Sequence, residues 1–328
     1  MKISKIQMSQ VLSTLKENIQ RTGDPLGFKG VYWTKWANEL NLPRSGSTIL
    51  LTARMYQMLP YIIQTIGLVT LAKPLLSSRV FGRLIDIGNR LVGEKIVRLK
   101  AIGARAIKSK GKNSLKGIVS ALSAVGQRPA YLYEDEPYSG VLLYDLGLDD
   151  YIEDHIKMVY SLLKGHKVKK VIGVDPHTTF MLKEVYPKYI DDYDIEVKHY
   201  LEILSENNEA LRNVCKKGLE KEFVIHDPCF MARSLGIIEQ VRRVSASLGI
   251  TLLEPENTKL DTPCCGGPIE YAFREMSEEV SRIRIQELGS VSKNIVVTCP
   301  ICLINLSKYE REMGIRVWDM GELLFGAL

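Results

Sequence analysis

The feature that most constrains this chain is that it restates its own order of elements with an offset near 124 residues. Val171-Ile172-Gly173-Val174 is a short apolar run of the kind that forms a buried strand, and Asp175-Pro176-His177-Thr178 then opens a helical stretch. A second strand-like run, Ile195-Glu196-Val197-Lys198, leads into His199-Tyr200-Leu201-Glu202-Ile203-Leu204. The same order returns as Ile295-Val296-Val297-Thr298, Cys299-Pro300-Ile301-Cys302, Ile315-Arg316-Val317-Trp318 and Asp319-Met320-Gly321-Glu322-Leu323-Leu324. Upstream, Glu136-Pro137-Tyr138-Ser139-Gly140 corresponds to Thr262-Pro263-Cys264-Cys265-Gly266, and the run Ile49 to Ala53 corresponds to Val224 to Cys229. Strands alternating with helices imply parallel sheets with helices packed on them. The expected fold class is therefore α/β, with two tandem pseudo-repeat lobes of Rossmann-like, mainly parallel architecture, a helical N-terminal segment and a helical insertion. Residues 1–48 form the helical and linker segment, 49–205 the first lobe with a basic helical insertion at about 60–120, and 206–328 the second lobe.

Composition removes several alternatives. The chain has 328 residues, 45% hydrophobic and 25% charged, with a mean hydropathy of −0.03, which excludes collagen-like, disordered and multi-span membrane classes. Six cysteines are too few for a disulfide-knit secreted scaffold, and Met1-Lys2-Ile3-Ser4-Lys5 leads into a polar stretch rather than the apolar core of a signal peptide. A reducing, cytoplasmic setting is expected, in which clustered cysteines point to metal or redox chemistry.

Five of the six cysteines sit at strand-to-helix turns of the second lobe. Thirty-four residues separate Cys229 from Cys264, Cys265 is adjacent, thirty-three residues separate it from Cys299, and two separate Cys299 from Cys302. In an open parallel sheet, turns at the carboxyl ends of strands converge on one crevice, so these thiols can meet despite their separation. Helix N-termini favour thiolate over thiol, and Gly266 and Gly267 permit close approach of backbone N–H groups. Gathered thiolates suit zinc or an iron–sulfur cluster; zinc is satisfied by four ligands, and five favour the cluster. Cys215 lies outside the pattern and reads as a half-buried residue. His226 and Asp227, just before Cys229, are candidates for hydrogen bonds to sulfur or, for Asp227, a turn cap.

Cys229, Cys264-Cys265-Gly266 and Cys299-Pro300-Ile301-Cys302 resemble the cysteine-rich CCG domain found in the B and D components of heterodisulfide reductase and in iron–sulfur subunits of glycolate oxidase, lactate-utilisation and anaerobic glycerol-3-phosphate dehydrogenase systems. The resemblance covers about residues 46–328, as two CCG copies, and extends to Asp24-Pro25-Leu26-Gly27 with Trp36-Ala37 in the linker. It implies one [4Fe–4S] cluster per chain, cubane or non-cubane, with Cys229, Cys264, Cys265, Cys299 and Cys302 as both cofactor-binding and metal-ligating residues. It also implies an oxidoreductase subunit that passes electrons between a flavin or ferredoxin-type partner and a quinone or thiol/disulfide acceptor, within a complex containing a ferredoxin-like iron–sulfur subunit and a flavoprotein. The first copy is degenerate: Ala53 stands for the first cysteine, Tyr138-Ser139 for the pair, and Asp175 and Thr178 for the last two, so no second cluster is expected. The alternative is a non-catalytic assembly or membrane-anchoring subunit with a structural zinc site.

The net charge of +6 is concentrated: residues 79–117 hold eleven Lys or Arg against Asp86 and Glu94. Next to it, Met55 to Ala72 is uncharged but interrupted by Gln57, Pro60 and Gln64, a poor membrane span. Residues 55–117 are thus expected to lie on an anionic membrane surface, to dock an acidic subunit, or to form a solvated helix with one buried face. The location follows as cytoplasmic, or peripheral on the inner face of the membrane. No glycine-rich or aromatic RNA signature accompanies the charge, and neither GxGxxG nor a P-loop is present, so nucleic acid and nucleotides are not expected ligands. In the second lobe, the helix after the Cys-Cys-Gly turn is expected to bury Ile269, Ala272, Phe273, Met276, Val280 and Ile283.

Overall fold

The computed structural model describes residues 5–62, 104–215, 221–267 and 273–328, with side chains from residue 12 onward. Two parallel sheets carry the chain. The first contains β1 (Thr48–Leu51), β2 (Lys170–Gly173) and β3 (Glu196–His199) in the order β1-β2-β3. The second contains β4 (Glu222–Ile225), β5 (Thr251–Leu253), β6 (Asn294–Val297) and β7 (Arg316–Asp319) in the order β5-β4-β6-β7. A parallel bridge between Ile49 and Ala130 stands where β5 stands in the second sheet, so both lobes share one topology. Ile49, Leu50, Leu51, Val171, Ile172, Val224, Ile225, Ile295, Val296 and Val297 are fully buried, as expected of strands covered by helices on both faces. Helices Tyr200–Glu206 and Asn208–Val214 meet at Asn207, where the chain passes from the first sheet to the second.

The repeat is legible in the helix caps. Asp175 and Cys299 are both extended N-cap residues followed by proline in the first helical turn, the proline position that costs a helix no hydrogen bond. His199 and Asp319 both head capping boxes, completed by Glu202 and Glu322. Gly140 and Gly266 both take left-handed backbone, with φ of 82° and 87°. Strand register corrects one correspondence. Leu51 pairs with Gly173, and Ile225 pairs with Val296, which sets His226 beside Val297 and therefore makes it the counterpart of Leu51. Three residues on, Arg54 rather than Ala53 occupies the place of Cys229.

The stretch read as a linker is a buried knot built on Asp24. Its carboxylate accepts from Leu26 N (2.9 Å), Phe28 N (3.2 Å), Trp33 Nε1 (2.7 Å) and Arg54 Nη1 (2.9 Å). Phe28, Tyr32, Trp33 and Tyr61 pack around it with ring centroids 5.0–5.7 Å apart.

The lobes are joined by helix Arg105–Ala124, which crosses the C-terminal helix Met320–Ala327 with backbone against backbone at Gly117 and Gly321. Lys110 donates to Glu310 Oε1 (2.6 Å) and to the carbonyl of Val317 (2.7 Å), and Tyr56 donates to Asp319 Oδ2 (2.9 Å). Lys112 and Lys116 both pair with Glu39. Of the stretch 55–117, then, residues 55–62 and one face of 105–117 (Ile107, Gly111, Ser114, Leu115 and Gly117) are packed into the chain itself, while Arg105 and Lys108 are exposed. Residues 63–103, which hold six of the eleven basic residues of the 79–117 segment, lie outside the described residues. No helix among the described residues is long and apolar enough to cross a membrane.

Candidate metal centre

The site is assembled by three turns of the second lobe. β4 ends at His226-Asp227-Pro228-Cys229, the loop from Lys259 delivers Cys264 and Cys265, and β6 ends at Cys299, the N-cap of the helix that carries Cys302. All five thiols are free of disulfides; Cys265, Cys299 and Cys302 are buried and Cys229 and Cys264 half-buried. They form one continuous set: Cys229 contacts Cys264, Cys264 contacts Cys265, Cys265 contacts Cys302, and Cys302 contacts Cys299. Cys215 takes no part in these contacts. The turn at Gly266 brings its own N–H to Cys264 Sγ at 3.4 Å.

Proximity sets the protons. Hydrogen bonds from Cys229 and Cys265, outweighing burial, hold the Cys264 thiol far below its usual range. Cys229 is pushed up by its bond to Cys264 and by burial. Burial opposes ionisation of Cys299, yet Cys302 and His177 hold it well below the thiol range. Five neighbouring cysteine sulfurs are a donor set suited to a soft metal.

Two histidines approach the sulfurs from opposite lobes. His226, fully buried, places Nε2 3.3 Å from Cys302 Sγ, and its Nδ1 accepts from Arg284 Nε at 3.1 Å. Burial, with the Arg284 charge beside it, pushes this imidazole down to about 3, so the ring is neutral. His226, Cys265 and Cys302 offer ligand atoms within 4.8 Å of one another. His177 comes from the cysteine-less lobe, its ring tilted against Phe230 with centroids 4.5 Å apart. Burial opposes its charge, but the hydrogen bond to Cys299 and the carboxyls of Asp175 and Asp145 lift it to about 9.

Asp227 turns away from the sulfurs. It accepts from Arg242 Nη1 and Nη2 (2.8 and 2.9 Å), Thr258 Oγ1 (3.0 Å) and Lys259 N (2.9 Å), while its carbonyl accepts from Thr262 Oγ1 (2.8 Å). It therefore fixes the loop that delivers Cys264. Against burial, Arg242 keeps its carboxyl below the usual range.

The helix Arg274–Val291 is turned the other way from the expected face. Phe273, Met276 and Ile283 are exposed and Val280 is half-buried, while Ser277, Ser281, Arg284, Ile285 and Leu288 are buried; Ile269 and Ala272 lie outside the described residues. The reason is steric and electrostatic. A Cβ on Gly266 would lie 2.5 Å from the carbonyl of Ser277, so only small side chains fit where this helix meets the Cys-Cys-Gly turn, and Arg284 must face inward to reach His226. Sequence reasoning placed His177 at the mouth of the first sheet but missed its reach to Cys299, and it missed Arg284. The signal for Arg284 was a second stripe, 277-281-284-285-288, at the same helical spacing as the apolar one.

The vacated first site is filled with side chains. Arg54, in the place of Cys229, pairs with Asp24 and donates to the carbonyl of Glu136 (2.6 Å). The buried Glu136 carboxylate accepts from Thr52 N (2.6 Å), Thr52 Oγ1 (3.0 Å) and Tyr131 OH (2.8 Å). Asp175 caps its helix by accepting from Thr178 N at 2.9 Å.

Residues 223–307 match the family model of the cysteine-rich CCG domain, so the second lobe carries that domain. The chain is 29% identical over 227 residues to the EtfAB:quinone oxidoreductase of Syntrophomonas wolfei subsp. wolfei, covering 65% of this chain and 32% of that protein. It is 26% identical over 213 residues to the probable iron-sulfur-binding oxidoreductase FadF of Bacillus subtilis (62% and 30%). It is 24% identical over 217 residues to the D component of the dihydromethanophenazine:CoB--CoM heterodisulfide reductase of Methanosarcina mazei (63% and 53%). The chain thus matches about a third of the first two relatives and about half of the third. It is related to iron–sulfur oxidoreductases and subunits of such complexes.

Proposed function

We propose that this chain is an iron–sulfur electron-transfer subunit of a larger oxidoreductase, with Cys229, Cys264, Cys265, Cys299 and Cys302 holding one [4Fe–4S] cluster, cubane or non-cubane. The observation that carries the reading is the approach of five thiols from three separate turns into one continuous chain of neighbours. Four cysteines satisfy a cubane cluster, so the fifth supports a site in which one iron can exchange ligands. The cluster supplies one-electron redox chemistry; the chain supplies thiolates, the Gly266 N–H on Cys264 and burial that keeps bulk water from the Cys265, Cys299 and Cys302 side. The cysteine-less lobe would bind no second cluster, because Arg54 and Asp175 stand where sulfur is needed. Two of the relatives are named for a quinone and a heterodisulfide, which supports a quinone or thiol/disulfide acceptor and a flavoprotein or ferredoxin-type donor in the complex.

The test is anaerobic purification with iron and acid-labile sulfide analysis. One cluster per chain, a brown protein and its loss in Cys265→Ser or Cys302→Ser support the reading; a colourless, sulfide-free protein defeats it. A zinc-bearing, non-catalytic subunit is favoured by one observation, the His226, Cys265 and Cys302 group, which is a nitrogen and sulfur set suited to that metal. Zinc without sulfide in the purified chain would select it.

A further inference from the structure

We propose that Arg284 is a positioning residue of this centre: it occupies the Nδ1 lone pair of His226, fixes that ring as its Nε2–H tautomer, and so aims the single imidazole N–H at the Cys302 sulfur. The redox consequence rests on the cluster reading above; the tautomer does not.

The argument starts from donor chemistry. A guanidinium only donates, so at 3.1 Å from Arg284 Nε the Nδ1 of His226 accepts and carries no hydrogen. The proton of a neutral imidazole must then sit on Nε2, which lies 3.3 Å from Cys302 Sγ. The guanidinium is itself held on its remaining sides. Nη1 donates to the Asn257 carbonyl (2.9 Å) and Glu287 Oε2 (2.7 Å), and Nη2 reaches Thr262 Oγ1 (3.5 Å).

Arg284 is fully buried. A buried charge is costly unless it is paired and hydrogen-bonded, and a leucine would pack that helix face more cheaply. What the arginine adds is direction: a planar fork anchored to Glu287 and Asn257 that leaves Nε pointing at one nitrogen. Glu287, Arg284, His226 and Cys302 form a line of donors and acceptors running from the half-buried end of helix Arg274–Val291 to the sulfur. An N–H bond to a ligating thiolate withdraws charge from the sulfur and favours the reduced state.

Two measurements on the full chain, purified anaerobically, test this. The first is the protonation pattern of the His226 ring nitrogens by 15N NMR. Wild type shows hydrogen on Nε2 alone; Arg284→Met shows a mixture or the opposite tautomer. An Nδ1–H ring or an imidazolium in wild type overturns the proposal without any variant, which covers the case in which Arg284→Met does not fold. The second is the reduction midpoint. Arg284→Met and His226→Leu are expected to lower the reduced-to-oxidised ratio at fixed poise about tenfold, equivalent to 59 mV for a one-electron couple. His226→Gln, which keeps an N–H, is expected to stay close to wild type. Unchanged midpoints in the Met and Leu variants, with the cluster spectrum intact, overturn it. Failure of the cluster reading looks different: wild type then carries no iron and sulfide, while the ring nitrogens still report the tautomer.

Discussion

Replacing Gly117 by alanine should unfold the joint between the lobes, against the ordinary rule that alanine strengthens a helix. A Cβ at Gly117 would fall inside van der Waals contact of the Gly321 carbonyl and 2.6 Å from the amide nitrogen of Phe325. Ordinary contact needs about 3.4 Å, so the two helices must part by about 0.8 Å at Phe325 and further at Gly321. Both partners are backbone, so no side chain can swing aside. The reverse contact is as tight, since a Cβ on Gly321 would lie 2.7 Å from Ser114 Cα. Overpacking of this kind costs about 1–3 kcal/mol, and a gap of that width forfeits about a quarter to a half of the local dispersion energy along the crossing. Helix propensity returns about 1 kcal/mol. The net expectation is a loss of about 2 kcal/mol, read as a lower urea midpoint at unchanged slope. Gly326→Ala is the control: it lies in the same C-terminal helix with nothing within 4 Å of its Cβ position, and should be neutral or stabilise by up to about 1 kcal/mol. Equal midpoints for the two variants, or a gain in Gly117→Ala, would refute the crossing.

Removing Asp24 by substitution with alanine should cost about 3–5 kcal/mol, because Arg54, with 5% of its side chain exposed, then keeps an uncompensated charge in the core; the thermal midpoint measures it, and a shift of only a degree or two would contradict the pairing. Burial, with Glu322 nearby, lifts the Asp319 carboxyl from 3.8 to about 7. The folded state therefore holds a proton that the unfolded chain releases, so this contribution is full below about pH 4 and is lost as pH rises through 7. Asp319→Asn, which keeps an acceptor for Gly321 N, should flatten the fall in thermal midpoint between pH 5 and pH 8; parallel curves for variant and wild type would contradict it. Asp175→Asn should leave iron content at the wild-type level, since Asp175 caps a helix in the lobe read as empty of iron; loss of iron with the fold intact, seen by circular dichroism, would place that residue in the centre.

Much of this architecture was written in local pattern. The pairs Asp175-Pro176 and Cys299-Pro300 mark the same cap twice, and the apolar triplets before them mark the strands, because strand burial and helix initiation are decided by a few adjacent residues. The meeting of five cysteines also followed from topology, since turns at one end of a parallel sheet have nowhere else to go. What escaped depends on packing between distant segments. Arg54 rather than Ala53 stands opposite Cys229, a shift of one residue that only strand register reveals. Phe273, Met276 and Ile283 formed the stronger apolar stripe, yet the helix presents its serines and Arg284 to the cysteine turn, because space at Gly266 and a charge for His226 outweigh hydropathy there. Lys110 counted in a basic stretch expected to meet a membrane, an acidic subunit or solvent, and instead ties the lobes together through Glu310 and Val317.

The ion pair between Arg54 and Asp24 makes the difference between the two halves hard to reverse. Restoring sulfur at position 54 would strand Asp24 and, with it, the tryptophan, backbone amides and ring cluster that it organises. A designer wishing to install a second redox cofactor in the first half would have to rebuild the amino-terminal segment in the same step.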